Sequence, residues 1–303
     1  MILEGDLHVI DAIKEKKRLQ DTGKTHEHIR PLLVIDGGFM KGAYGVGAAL
    51  ALEELNFNRV FSNVVGVSSG APVAAYFISG EVHKIPNLID DLFASWKFLN
   101  LWRLWNQLDT KYLMQLFKTS EQGMSMEKVF NAPVNLYIGV AEFESAKPEL
   151  LRPSNGPELL DAMNASILMP NISTDKVYID GVRYVDGGFT HPHILEKVFK
   201  EIDATHILIM TNQNQSDAFP TSRLERFLNN TVYRFRMSKA IRHAIHDRRE
   251  ERKKVYTNMR LHYKNPHAFI WGDNSIDSFD RDNTLVNSVI EKSRLWWHDL
   301  LKD

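Results

Sequence analysis

The sequence predicts a three-layer α/β/α fold on a mostly parallel central sheet, and three observations carry that prediction. Two short runs with no polar side chain, Leu32-Leu33-Val34-Ile35 and Val64-Val65-Gly66-Val67, each end in a glycine-containing turn. Each turn opens into a mainly apolar stretch with the look of a helix, at residues 42–55 and through about residue 78. Further strand-like segments recur downstream with helical stretches between them. An apolar run bounded by glycines is the signature of a strand covered on both faces. Strand, turn and helix in repetition give a parallel sheet sandwiched between helices.

Taken in order, residues 1–30 read as a charged helix and a loop, with Val9, Ile10 and Ile13 forming one apolar face. After the two strand–helix units comes a helical region over roughly 86–130. Later strands are expected at 134–140, at 176–179 with 184–185, at 206–210 and at 268–271. The polar run Asn212-Gln213-Asn214-Gln215 precedes a long charged helix from about residue 222, and a last helix covers about 283–301. With no repeat, low-complexity stretch or linker, the expectation is one domain over 1–303. It divides into an N-terminal helical extension (1–30), a core (31–215) and a C-terminal helical region with one further strand (216–303).

Composition excludes several kinds of chemistry. None of the 303 residues is cysteine, so disulfides, thiol catalysis and cysteine-bound metals are ruled out. The formal net charge of -1 gives no whole-molecule attraction to nucleic acid, and no nucleic-acid partner is expected. No apolar run nears the roughly 20 residues that span a bilayer, and the first residues do not read as a secretory leader. The expectation is a cytoplasmic protein whose membrane contact is peripheral; delivery as a leaderless secreted effector is compatible with the same features.

The chemistry concentrates in three short segments. Gly66-Val67-Ser68-Ser69-Gly70 is a G-x-S-x-G between a strand and a helix, the context in which that motif lifts a serine hydroxyl over the edge of the sheet. The helix that follows brings free N–H groups and partial positive charge close to the hydroxyl. Asp36-Gly37-Gly38-Phe39-Met40-Lys41-Gly42 follows the first buried strand, and its adjacent glycines can present consecutive N–H groups as an oxyanion hole. It is neither a phosphate-cradling loop nor a dinucleotide fingerprint, because the spacings fail. Tyr184-Val185-Asp186-Gly187-Gly188 places an aspartate at the end of a short strand; an ordinary Asp-Gly turn is the competing reading.

Order and spacing of the three segments resemble the patatin-like phospholipase family over most of the chain. Ala165-Ser166-Ile167-Leu168-Met169-Pro170 and the lead-in Ile179 to Tyr184 resemble it as well. The resemblance implies a serine lipid acyl hydrolase. Ser68 would be its nucleophile, Asp186 its base, and Gly37, Gly38 and Phe39 its oxyanion hole. Gly42, Gly66, Gly70, Gly187 and Gly188 would be the motif glycines. It implies a lipid or phospholipid substrate, with no metal and no cofactor. Two positions depart from the pattern. Phe39 stands where the family most often has a third glycine, and is strained if that position needs a positive φ. Phe189-Thr190-His191-Pro192 lacks the asparagine usual before the proline. His191, His193, His206, His262 and His267 all follow Ser68 and keep a histidine-based triad open as a rival.

Two further segments each admit two readings. Trp96, Phe98, Leu99, Leu101, Trp102, Leu104 and Trp105 suit either a lid or acyl-chain wall, or plain core packing. Residues 223–254 carry eleven basic and four acidic side chains, a formal balance of +7. That segment is either a docking face for anionic membrane or a solvated helix.

Overall fold

The computed structural model describes residues 1–94, 106–119, 121–190, 193–212, 231, 234–273, 275–278, 280 and 282–302. Among them nine strands form one mixed sheet: β1 (Ile2–Gly5), β2 (Pro31–Ile35), β3 (Asn63–Val67), β4 (Asn135–Glu142), β5 (Pro148–Leu151), β6 (Val177–Ile179), β7 (Val182–Asp186), β8 (His206–Thr211) and β9 (His267–Trp271). The order is β1-β9-β8-β2-β3-β4-β7-β6, with β5 also paired to β4. The centre β9-β8-β2-β3-β4 is parallel, and β1, β5, β6 and β7 add antiparallel pairs around it.

The described helices are α1 (His8–Asp21), α2 (Ala43–Glu54), α3 (Gly70–Ser79), α4 (Ile85–Ala94), α5 (Thr110–Thr119), α6 (Met126–Asn131), α7 (Gly156–Ile167), α8 (Gly187–Thr190), α9 (Ile194–Glu201), α10 (Lys239–His262) and α11 (Asn283–Leu301). Side chains alternate across a strand, so β2 splits its apolar run between two cores. Leu33 and Ile35 join Val64, Leu208 and Ile270 under α1, α2, α3, α7 and α11. Leu32 and Val34 join Val65, Ile207 and Phe269 under α9 and the distal part of α10, which contributes Val255 and Met259. This is the three-layer arrangement, and it explains why the central strands read as unbroken apolar runs.

The N-terminal stretch is more than a helix and a loop. β1 pairs with β9 in the register Ile2↔Trp271, and α1 buries Val9, Ile10 and Ile13. A four-residue strand whose partner lies at the far end of the chain leaves no local signal. The last helix holds the expected bounds, capped by Asp282, whose Oδ1 accepts the N–H groups of Thr284 and Leu285. It packs on α2 so closely that a Cβ at Gly47 would lie 2.2 Å from the Ile290 carbonyl oxygen. The expected helix from residue 222 is seen as α10 from Lys239, and residues 213–230 lie outside the described residues.

Candidate active site

β3 ends at Val67 and α3 begins at Gly70, so the chain reverses within two residues. Ser68 takes up the turn at a φ of 54°, in the left-handed region where an L side chain costs roughly 1–3 kcal/mol. Such strain persists only where the surroundings over-determine it, and here they do. A Cβ at Gly70 would lie 2.2 Å from the Ile35 carbonyl oxygen, so α3 starts hard against β2. The Ser68 N–H donates to Ser166 Oγ at 2.8 Å, and that hydroxyl donates in turn to the Gly139 carbonyl at 2.8 Å.

The Ser68 hydroxyl donates to Asp186 Oδ2 at 2.7 Å, and both residues are buried. Their meeting follows from the sheet. β4 pairs with β3 through Asn135–Gly139 and with β7 through Val140–Glu142. β5 occupies the other edge of β4 over Ile138–Ala141, so β3 and β7 must share one edge, end to end. There Val67 stands opposite Gly139 and Asp186 opposite Val140, which brings the two side chains face to face. The end of α7 ties both down, since Leu168 accepts the Asp186 N–H at 3.0 Å while Ser166 holds Ser68.

The glycine loop lies directly alongside. A Cβ at Gly37 would sit 2.4 Å from the Ser68 Cβ. The Gly37 N–H donates to Asp36 Oδ1 at 2.7 Å, and the Met40 N–H to the Ser278 carbonyl at 3.2 Å. Phe39 has a φ of 58°, the positive value at which glycine would be unstrained, and it packs with Leu108, Met169 and Ile172. Burial pushes the Asp36 carboxyl above its ordinary value, with the Arg252 guanidinium and the Gly37 N–H working against the rise. Gly42 closes the short helical turn Phe39–Gly42, Gly66 lies inside β3, and Gly187 and Gly188 open α8 behind Asp186.

On the α2–α3 side, Ser68 borders a cavity of about 140 Å³ with almost wholly apolar walls, among them Phe39, Val73, Tyr76, Leu88 and Phe117. Such a space suits a hydrocarbon chain. On the α9–α10 side the environment is charged. Arg248 and Arg252 of α10 are buried, and Arg252, Asp36 and Gly188 line one small cleft. Lys253 and Lys254 remain exposed, each paired with a glutamate of the same helix. The +7 segment therefore does not present all its charge to solvent.

Three of the five histidines can be placed by their side chains. His193 bonds Glu196 and Glu251, His206 bonds Thr205, and His267 bonds the Asn265 carbonyl. His206 and His267 begin β8 and β9, at the end of the parallel strands opposite Ser68. His191, the His262 side chain and the aromatic segment 96–105 lie outside the described residues. Among the described residues no three metal-binding side chains converge, and no helix is long and apolar enough to cross a membrane.

Sequence reasoning quoted Asp36 and Ser166 within their segments without giving either a role, and missed Arg248 and Arg252 as parts of this neighbourhood. Ser166 had a signal in the small-residue segment ending at Pro170. The arginines had none, because a cationic helix looks the same whether its charges face water or a buried carboxylate.

The fold and this geometry define an α/β protein with a buried serine on a strained strand-to-helix turn, hydrogen-bonded to an aspartate. The family model described as patatin-like phospholipase matches residues 33–199, over half of the chain, and the chain belongs to that family. It is 24% identical over 207 residues to YjjU of Escherichia coli K12, an uncharacterized protein, covering 66% of this chain and 57% of YjjU. Among solved structures it is similar to VipD of Legionella pneumophila, with a TM-score of 0.48 and 13% identity over 90% of this chain and 66% of VipD. ExoU of Pseudomonas aeruginosa, solved in complex with SpcU from the type III secretion system, gives a TM-score of 0.31 and 18% identity over 88% of this chain and 59% of that one. The chain thus spans less than two thirds of the length of each of these relatives.

Proposed function

We propose that this chain hydrolyses carboxylic ester bonds of lipids, as a phospholipase A or broader lipid acyl hydrolase, through an acyl-Ser68 intermediate with Asp186 as base. The observation that carries the reading is the 2.7 Å hydrogen bond from Ser68 Oγ to Asp186 at the edge of an apolar cavity. Ser68 Oγ attacks the ester carbonyl and its proton passes to Asp186 Oδ2. The tetrahedral intermediate then expels the alcohol, which takes that proton, and leaves the acyl group on Ser68. Asp186 next deprotonates a water, whose attack releases the fatty acid and returns the proton to Ser68. The amides of Gly37, Gly38 and Phe39 would stabilise the oxyanion. For Gly37 that requires its N–H to leave Asp36 Oδ1, so the loop would shift as the charge develops.

That same detail favours a second reading, a lipid-binding homologue with impaired catalysis, in which the Gly37 N–H stays on Asp36 and Phe39 keeps the loop closed. Turnover of a short p-nitrophenyl ester, against a Ser68→Ala control, separates the two: activity that vanishes with Ser68 supports the hydrolase, and identical background rates support the binder. A fluorophosphonate probe should label Ser68 alone, and labelling that persists in Ser68→Ala would overturn its assignment. A phospholipid panel followed by mass spectrometry then gives the bond cleaved. Peripheral contact with anionic membrane belongs to the same proposal, with Lys239, Lys253 and Lys254 among the exposed cations of α10.

A further inference from the structure

A second cavity, of about 340 Å³, opens between β7, the segment after α7 and the approach to α10. Its walls include Lys176, Arg183 and Arg236, and no acidic side chain is among the described residues that line it. Lys176 is exposed, while Arg236 is half-buried and donates to the Asn171 carbonyl at 3.4 Å. Arg183 is the most constrained of the three. Its guanidinium stacks over the Phe143 ring at 3.5 Å, and its Nε is buried with no hydrogen-bond partner. Burial makes its charged form costly and pushes its pKa below the ordinary value; Tyr178 and the exposed Glu144 act in the opposite direction. A guanidinium fixed by stacking, with an N–H left unmatched and two further cations around one hollow, is the arrangement that holds a tetrahedral oxyanion.

We propose that this cavity is a binding site for a phosphate group, held by Arg183, Lys176 and Arg236. Arg183 precedes Asp186 by three residues on β7, about 10 Å along the strand, and the alternation of side chains points the two to opposite faces. The hollow is roomier than a bare anion needs, which leaves space for the group to which the phosphate is esterified. The chemistry is shared by a lipid headgroup and a free phosphate ester; only the lipid source rests on the hydrolase reading above.

The test uses the full chain as Ser68→Ala, so that no turnover enters the measurement and loss of the hydrolase reading would not be mistaken for loss of this one. Inorganic phosphate is titrated by calorimetry at low salt, and vesicles of phosphatidylcholine with and without phosphatidic acid are used in flotation. Lys176→Gln and Arg236→Gln should each raise the Kd for phosphate about tenfold, the loss of one charge-assisted contact. Arg183→Gln should do the same or more, with its fold checked by circular dichroism; the exposed Lys176 keeps the test open if that variant fails to fold. Phosphatidic-acid-dependent flotation that the same variants weaken places the phosphate on a lipid. Phosphate binding without a vesicle preference assigns the site to a soluble phosphate ester. Phosphate affinity absent in the parent, or unchanged in Lys176→Gln and Arg236→Gln, overturns the site.

Discussion

Asp36 and Glu81 are buried to nearly the same degree, at 8% and 4% exposure, on opposite faces of the sheet, and they are held in opposite ways. Burial pushes both carboxyls up. At Glu81 the Ser125 N–H and the Lys128 and Lys84 ammonium groups more than reverse the push and bring it to about 2. At Asp36, Arg252 and the Gly37 N–H leave the push in command. Glu81 is a clamp, tying the end of α3 to the start of α6 through three donors. Asp36 is a buried carboxyl whose partners do not offset its burial, at the start of the loop that abuts Ser68. Buried carboxylates of the first kind are architecture, and those of the second kind mark places where chemistry is arranged.

The sharpest way to break that contrast is through the Ser68–Asp186 pair between the two faces. Ser68→Ala and Asp186→Asn should each lower ester turnover by roughly 10³-fold or more, because members of one catalytic unit fail together. His193→Ala and His206→Ala should keep substantial activity; either one as inactive as Ser68→Ala, with its fold intact, would restore the triad. Next in size is the charged face. Arg252→Met should cost about 3–5 kcal/mol in urea unfolding, since it leaves Asp36 buried without its counter-charge. The double variant Asp36→Asn/Arg252→Met should recover most of that loss. If the two substitutions merely add, Arg252 is not what offsets Asp36.

Glu81 sharpens the comparison through pH. Its carboxyl falls from 4.5 to about 2 on folding. Its stabilisation is therefore full above the unfolded value and disappears as pH drops through the interval toward 2. Glu81→Gln should destabilise by about 3 kcal/mol at pH 7, and the gap from the parent should close by pH 2–3 in urea titrations. A gap that stays constant with pH would mean that the carboxylate charge contributes nothing. The smallest effect is expected from the hydrocarbon side. Val73→Phe intrudes into the cavity beside Ser68. It should lower turnover of a long-chain p-nitrophenyl ester about tenfold relative to the butyrate, an overpacking penalty of about 1–2 kcal/mol. Equal losses on both esters would place the acyl chain elsewhere.

What the sequence disclosed divides along the same line as its physics. Leu32 to Ile35 and Val64 to Val67 were legible because a strand buried on both faces must be apolar at every position. Ser68, Asp186 and the glycines were legible because tight turns need particular residues at fixed spacing. β1 and β5 were not, being four-residue strands too short to show a period, and β1 pairs with β9 at the far end of the chain. Ser166 and Arg252 act through long-range contacts that leave no periodicity. The basic helix shows the limit of counting charge: residues 223–254 announce a cationic surface, yet Arg248 and Arg252 turn inward.

The seam where Gly47 meets α11 has a consequence in time. Ser293 donates to the Tyr44 carbonyl across 249 residues of sequence, and the same helix covers the one turn of α2 that cannot tolerate a Cβ. A ribosome adding about 5–20 residues per second leaves roughly 10–50 s between the emergence of these two partners. Throughout that interval the side of α2 that faces α11 lacks its partner, on a helix in which almost every residue is apolar. Until α11 emerges that seam stays open to other apolar surfaces, and the late helix sets the moment at which this side of α2 is covered.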